Sequence, residues 1–227
     1  TTPHHLGMKF DAIVSNPPYS KSWEGKNNTI LINDVRYSPA GVLAPIQRSD
    51  LAFTMHMLYH LSETGTCAIV EFPGVLYRGG AEKKIREYLI KNNFVDTVIQ
   101  LPANLFFGVG IATCIIVIKK NKKDNNILFV DASGECEKKG DKNKLEDENQ
   151  NRIVNAYQER KEEQYFTKLV SNDEVLANGA NLSVSSYVEK EDKREVIDIV
   201  ALNEEIEALS KDVRNRSVEL DEMIKEL

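Results

Sequence analysis

The chain has few of the residues that announce a metal, a disulfide frame or a membrane anchor. Its 227 residues hold three cysteines, one tryptophan and four histidines. Cys67, Cys114 and Cys136 are odd in number and far apart, and the first two lie inside apolar strand patterns. They read as reduced thiols of a cytoplasmic protein, not as a disulfide frame or a metal site. His56 and His60 have the spacing of a zinc protease motif, but Met57 stands where the catalytic glutamate belongs and no third ligand is evident. The pair is therefore read as structural, and no metal is expected. No apolar run approaches the ~20 residues of a membrane helix, so no membrane contact is expected. Neither a Walker loop nor Gly-x-Gly-x-x-Gly occurs. Positive charge is also short, with a net charge of −6. Phosphate contacts dominate nucleic-acid affinity, so any hold on DNA has to come from a local basic face or from a partner.

What is present is an ordinary globular composition, 41% hydrophobic and 28% charged, enough for one large domain or one domain with an appendage. The most informative stretch is Asn16-Pro17-Pro18-Tyr19, directly after the apolar run Phe10–Val14. Asn-Pro-Pro on its own is a common turn. At the C-terminal end of a buried parallel strand, where open α/β sheets place ligands, a second reading opens. The Asn16 side-chain oxygen and the Pro17 carbonyl are two acceptors suited to the two hydrogens of an exocyclic amine. An adenine N6 lone pair is delocalised into its ring, and two such acceptors draw it out of conjugation as a new bond to a methyl group forms. Two successive prolines stiffen the loop so that the acceptors stay aimed. Tyr19 offers a flat face for stacking, worth roughly 1–3 kcal/mol per base. A paired base is out of reach, so the base must be flipped out.

Downstream, strands alternate with helices of about a dozen residues, which predicts βαβ units. Phe10–Val14, Thr66–Phe72, Val95–Leu101, Ala112–Lys119 and Ile127–Val130 read as strands, the fourth as an antiparallel partner because its connection is short. Ser49 reads as the N-cap of a helix that runs through Leu61 and is ended by Gly65, and Ala81–Lys91 as an amphipathic helix. The fold class is thus α/β, a mainly parallel sheet with an antiparallel strand, followed by a helical tail. Residues 133–150 read as a mobile loop, Ile153–Lys168 as a helix and 171–188 as a short mixed segment. The domain expectation is 1–132 for the sheet, 133–190 as a connecting segment and 191–227 as a C-terminal helix. The chain starts at Thr1 and reaches a strand within ten residues, so sequence upstream is expected.

Several side chains have two readings. Residues 20–48 form either a solvated lid or a surface whose Trp23, Arg36, Tyr37, Gln47 and Arg48 meet a base or phosphates. Arg78-Gly79-Gly80-Ala81-Glu82 is a plain turn or a phosphate-binding helix start, with Arg78 as a DNA contact. Lys119, Lys120, Lys122 and Lys123, placed beside the Phe106 loop, are a solvated hairpin end or a phosphate contact. Phe106 or Phe107 is core or a second aromatic against the flipped base. In the tail, Ile199, Ile206, Val213, Leu220 and Leu227 recur every seven residues, with Leu202, Leu209 and Met223 in the matching d positions and Arg216 interrupting them. An isolated amphipathic helix is marginal in water, so this seam is expected to bind a partner subunit or to fold onto its own domain.

Asn16–Tyr19 after its strand resembles the catalytic motif of amino-methylating DNA methyltransferases. Ser49-Asp50-Leu51-Ala52-Phe53, Gly74–Glu82, and Leu101–Val117 with Asn104-Leu105-Phe106-Phe107-Gly108 and Thr113-Cys114-Ile115 resemble one branch, the modification (M) subunit of type I restriction–modification systems. Asn181–Val184 to Tyr187-Val188 is similar to the end of that family. The resemblance implies the C-terminal half of a Rossmann-like methyltransferase sheet and site-specific adenine-N6 methylation of double-stranded DNA from S-adenosylmethionine. It also implies a specificity (S) subunit bound through the C-terminal helix, and a second M subunit and a restriction (R) subunit in the full complex. Carried over, Asn16 and Pro17 hold the amine, Pro18 stiffens the loop, Tyr19 stacks on adenine, and Phe106 or Phe107 takes the motif nearer the C-terminus. The family's Gly-rich donor loop precedes the catalytic motif and is not in this sequence, so the 227 residues are expected to be inactive alone. A protein-glutamine methyltransferase and a non-catalytic assembly module are the competing readings.

Overall fold

The computed structural model describes residues 5–191, apart from 107 and 109, and residues 198–225. In chain order the elements are β1 (Phe10–Ser15), α1 (Thr29–Ile32), α2 (Asp50–His60), β2 (Leu61–Glu71), α3 (Ala81–Lys91), β3 (Val95–Gln100), β4 (Cys114–Lys119), β5 (Asn126–Asp131), β6 (Glu137–Lys139), β7 (Lys142–Lys144), α4 (Asp147–Glu159), β8 (Thr167–Ser171), α5 (Asn172–Ala177) and α6 (Ile199–Lys225). Two compact units result, Thr1–Lys190 and Glu191–Leu227.

The first unit is built on a six-stranded sheet of order β1-β2-β4-β3-β5-β8. β1 and β2 are parallel, as are β3 and β5, while β4 and β8 run against their neighbours. The period-2 alternation of the strands sorts their side chains onto two faces. Ile69, Ile116, Val98 and Phe129 pack with Leu51 and Met55 of α2 and Ile85 and Leu89 of α3. Ile99, Leu128 and Val130 pack on the other face with Ile153 of α4 and Phe166. Arg86 is 1% exposed and bolts α3 to the chain's later segment, donating to the Ala180 and Val75 carbonyls at 2.8 Å each. Among the described residues β1 is an edge strand, and its Val14 is 86% exposed.

Four expectations change. α2 ends at His60, within one residue of the expected Leu61, but Gly65 does not end it: Leu61 turns directly into extended backbone with φ −70° and ψ 133°. Gly65 lies inside β2, where a Cβ would come within 2.9 Å of the Phe10 carbonyl oxygen, so its role is close approach of β1 and not helix termination. Residues 133–150 are not one open loop, since β6 and β7 form a hairpin with Gly140 at φ 63°. The helix expected over 153–168 is shifted toward the N-terminus. A capping box between Glu146 and Asn149 starts it, Arg160 at φ 51° closes it, and Thr167–Ser171 pairs antiparallel with β5 as β8. The pairing edge offered by β5 takes the two residues in which that strand overlaps the expected helix. Because β8 belongs to the main sheet, position 132 is not a boundary, and the compact unit continues to Lys190.

In the second unit the heptad segment is one helix. Ile199, Leu202, Ile206, Leu209, Val213, Leu220 and Met223 are all at least 44% exposed along it. Leu227 lies outside the described residues.

Candidate active site at the end of strand β1

β1 leads straight into the tetrapeptide. Its last pairing with β2 sets Ser15 opposite Ile69, which brings Asn16 to the C-terminal edge of the sheet. Asn16 is exposed, Pro17 is buried and Tyr19 is half-buried. The Tyr19 hydroxyl donates to Asn16 Oδ1 at 2.8 Å. A carboxamide oxygen has two lone pairs, so one remains for an incoming amine hydrogen. Burial pushes the Tyr19 hydroxyl above its ordinary pKa, and the neighbouring Glu71 adds to that, so the phenol remains a donor.

The chain leaving the tetrapeptide is clipped to the segment before α2. Ser20 N–H donates to Asp50 Oδ1 at 2.8 Å, Ser49 N–H to the Lys21 carbonyl at 3.0 Å, and Trp23 N–H to the Ile46 carbonyl at 2.9 Å. The Trp23 indole donates to the Pro45 carbonyl at 3.0 Å and meets Tyr37 edge-on at 5.4 Å. Arg36 is turned inward as well. It forks onto Asp34 and lies 3.2 Å from His56 Nδ1. Of the polar loop's five candidates, Trp23, Arg36 and Tyr37 thus hold the loop itself. Gln47 and Arg48, with Tyr37, line a cleft of about 930 Å³ that reaches Ala81 at the start of α3. His56 and His60 face each other with ring centroids 4.6 Å apart, and burial lowers His56 to a pKa of about 4.

Near Tyr19 sits an acid that sequence reasoning passed over. Glu71 ends β2, fully buried, and accepts from Thr54 Oγ1 at 3.0 Å. Burial first, then the charges of Asp50 and Glu82, raise its pKa to about 8, so it is a neutral acid at neutral pH. Its signal in the sequence was one glutamate closing the run Cys67–Val70. Glu82, also buried, faces Arg48 at 3.5 Å and Arg78 at 3.7 Å, and the Arg78 guanidinium lies 5.0 Å from the Phe72 ring centroid.

β1, β2 and β3 point the same way, so Arg78 and Phe106 lie at the same end of the sheet as Asn16. The Phe106 loop is on the far side of β2 and β4, tied to β7 where Lys142 Nζ donates to the Phe106 carbonyl at 3.4 Å. Phe107 lies outside the described residues. The four lysines are not beside that loop. β4 runs antiparallel, setting Cys114 against Glu71 and Lys119 against Thr66, which carries the lysines to the opposite end of the sheet from Asn16. There Lys119 faces Asp96 at 3.4 Å, Lys120 faces Glu63 at 3.2 Å, and Lys122 donates to the Val95 and Asn126 carbonyls at 2.7 Å each. Burial lowers Lys122 to a pKa of about 8, and Lys123 is exposed.

The set of groups fits a planar amine whose two N–H groups donate: a carboxamide oxygen and a backbone carbonyl to accept, and an aromatic face to stack on. It does not fit a bound nucleoside donor, for which a Gly-rich turn and a ribose-binding acid are the usual elements. The chain is 45% identical over 220 residues to the type I restriction enzyme MpnII methylase subunit of Mycoplasma pneumoniae, covering 95% of this chain and 40% of that protein. It is 33% identical to the MjaVII methylase subunit of Methanocaldococcus jannaschii, covering 95% and 38%. Among solved structures, the type I restriction-modification methyltransferase subunit from Streptococcus thermophilus superposes with a TM-score of 0.79 at 40% identity, over 83% of this chain and 40% of that one. The chain therefore spans about 40% of the length of these relatives. A profile described as N-6 DNA Methylase matches residues 1–196, and with the tetrapeptide seated at the open end of such a sheet, the chain belongs to that family.

Proposed function

We propose that this chain is the amine-gripping part of a site-specific DNA adenine-N6 methyltransferase, an M subunit of a type I restriction–modification system. The observation that carries the reading is the position of Asn16–Tyr19, directly past a parallel strand, with Asn16 exposed and its carboxamide oxygen oriented by the Tyr19 hydroxyl. A flipped adenine stacks on Tyr19. Its N6 hydrogens are accepted by Asn16 Oδ1 and the Pro17 carbonyl, which raises the nucleophilicity of the nitrogen as charge develops on it. Pro17 and Pro18 limit backbone motion, so the acceptors need no reorganisation during the reaction. S-adenosylmethionine would supply the methyl group. Phe106 or Phe107 contributes a second aromatic, and Arg48 and Arg78, at the same end of the sheet, face the flanking phosphates.

The heptad face of α6 fits a helix of the specificity subunit, through which the target sequence is read. A second M subunit and the restriction subunit complete the assembly. A net charge of −6 agrees with DNA being held mainly by the complex.

The test is Asn16→Ala in the full-length subunit assembled with its specificity subunit. Methyl incorporation into adenine falls by at least about a hundredfold, while assembly is unchanged. Full activity in this variant defeats the reading, and methyl incorporation into protein in place of DNA reassigns the substrate.

A further inference from the structure

The residue after the tetrapeptide carries a conformational cost. Ser20 has φ 49°, left-handed backbone that a residue other than glycine adopts only at a cost. The contact that holds it there comes from thirty positions away, where Asp50 Oδ1 accepts the Ser20 N–H at 2.8 Å. Asp50 is the first residue of α2 and is 1% exposed. Acids at this place usually serve their own helix. Here Asp50 Oδ1 reaches across to the loop, while the Ser49 side chain makes no cap. The Ser49–Lys21 backbone bond at 3.0 Å lies alongside, so the chain is pinned on both sides of the bend.

Resting on the methyltransferase reading above, we propose that Asp50 is a positioning residue for the adenine-gripping loop. By clamping the Ser20 amide it sets the direction of Tyr19 and, through the Tyr19–Asn16 hydrogen bond, of the Asn16 carboxamide. It touches neither base nor donor. Its contribution is the aim of groups that do, and displacing such groups by about 1 Å can cost on the order of a hundredfold in rate.

Two variants of the full-length subunit, assembled with its specificity subunit, test this. Asp50→Asn keeps an oxygen acceptor of the same shape, whereas Asp50→Ala removes it. In the Ala variant kcat drops about ten- to a hundredfold, and KM for the methyl donor and DNA affinity stay within about twofold. Amide hydrogen exchange in a peptide covering residues 17–23 speeds up, with the rest of α2 protected as before. The Asn variant returns kcat to within about threefold of the parent, since the acceptor is retained. The proposal is overturned if exchange accelerates in the Ala variant without loss of kcat, if the loss appears only in KM, or if Asn is as slow as Ala. Should the Ala variant fail to fold, Asp50→Ser, whose shorter side chain withdraws the acceptor, takes its place: faster exchange at 17–23 together with a several-fold lower kcat supports the clamp, and either change without the other, or neither, overturns it. An inactive parent subunit would instead remove the functional reading, and the exchange data would still report whether Asp50 holds Ser20.

Discussion

Glu71→Gln probes the buried acid near Tyr19. In the folded chain Glu71 titrates at about 8, against an ordinary 4.5, chiefly because its carboxyl is buried. The folded state therefore keeps a proton that the unfolded state gives up as pH rises from about 4.5 to about 8. A group with a raised folded pKa contributes stability below its unfolded value, and that stability is lost as pH climbs through the folded one. At roughly 1.4 kcal/mol per pKa unit, the gap sets a ceiling of about 5 kcal/mol. That is a large share of the 5–15 kcal/mol typical of a domain. Gln keeps an oxygen for Thr54 Oγ1 and carries no charge. Urea denaturation of both proteins between pH 5 and 9 is the assay. The two should be nearly equal at pH 5, with the Gln variant several kcal/mol more stable at pH 9. A difference that does not change with pH, or a parent that gains stability relative to Gln as pH rises, refutes a neutral Glu71.

Gly65→Ala places a Cβ 2.7 Å from Leu61 Cδ1 and 2.9 Å from the Phe10 carbonyl oxygen, so β1 must shift on β2. A loss of about 1–3 kcal/mol is expected in chemical denaturation, the usual cost of overpacking, with faster amide exchange in β1. In α6, Leu209→Asp places a charge in the heptad seam, where Leu209 is 58% exposed. On the proposed assembly, binding to the specificity subunit should weaken by about 2 kcal/mol or more, measured by titration calorimetry, with the secondary structure of the first unit unchanged by circular dichroism.

Local patterns carried much of the fold. Ala81–Lys91 has its inward face written at helical spacing, and the helix observed has those ends. The apolar runs at Val95 and Ile127 are strands because β-branched residues fit a covered sheet, and the run at Phe10 is a strand on the edge, where Val14 stays exposed. The placement of Asn16–Tyr19 just past a strand was legible for the same reason, since it depends only on the run before it. The seven-residue period from Ile199 required one helix with an apolar seam, whatever covers it.

Tertiary structure decided what depends on partners distant in sequence. Thr167–Ser171 became a strand because β5, a partner distant in sequence, presented an unpaired edge, and only its first two residues overlap the helix expected over 153–168. The lysines after Ile118 share a short sequence interval with Phe106, yet an antiparallel strand separates them by the length of the sheet. Asp50 is an unexceptional first residue of a helix in one dimension, and only the approach of Ser20 from thirty residues upstream gives its carboxylate a task. Glu71 is one charge in an apolar strand until the helices close over it. Desolvation is a property of the packed interior, and it makes that residue an uncharged acid beside Tyr19.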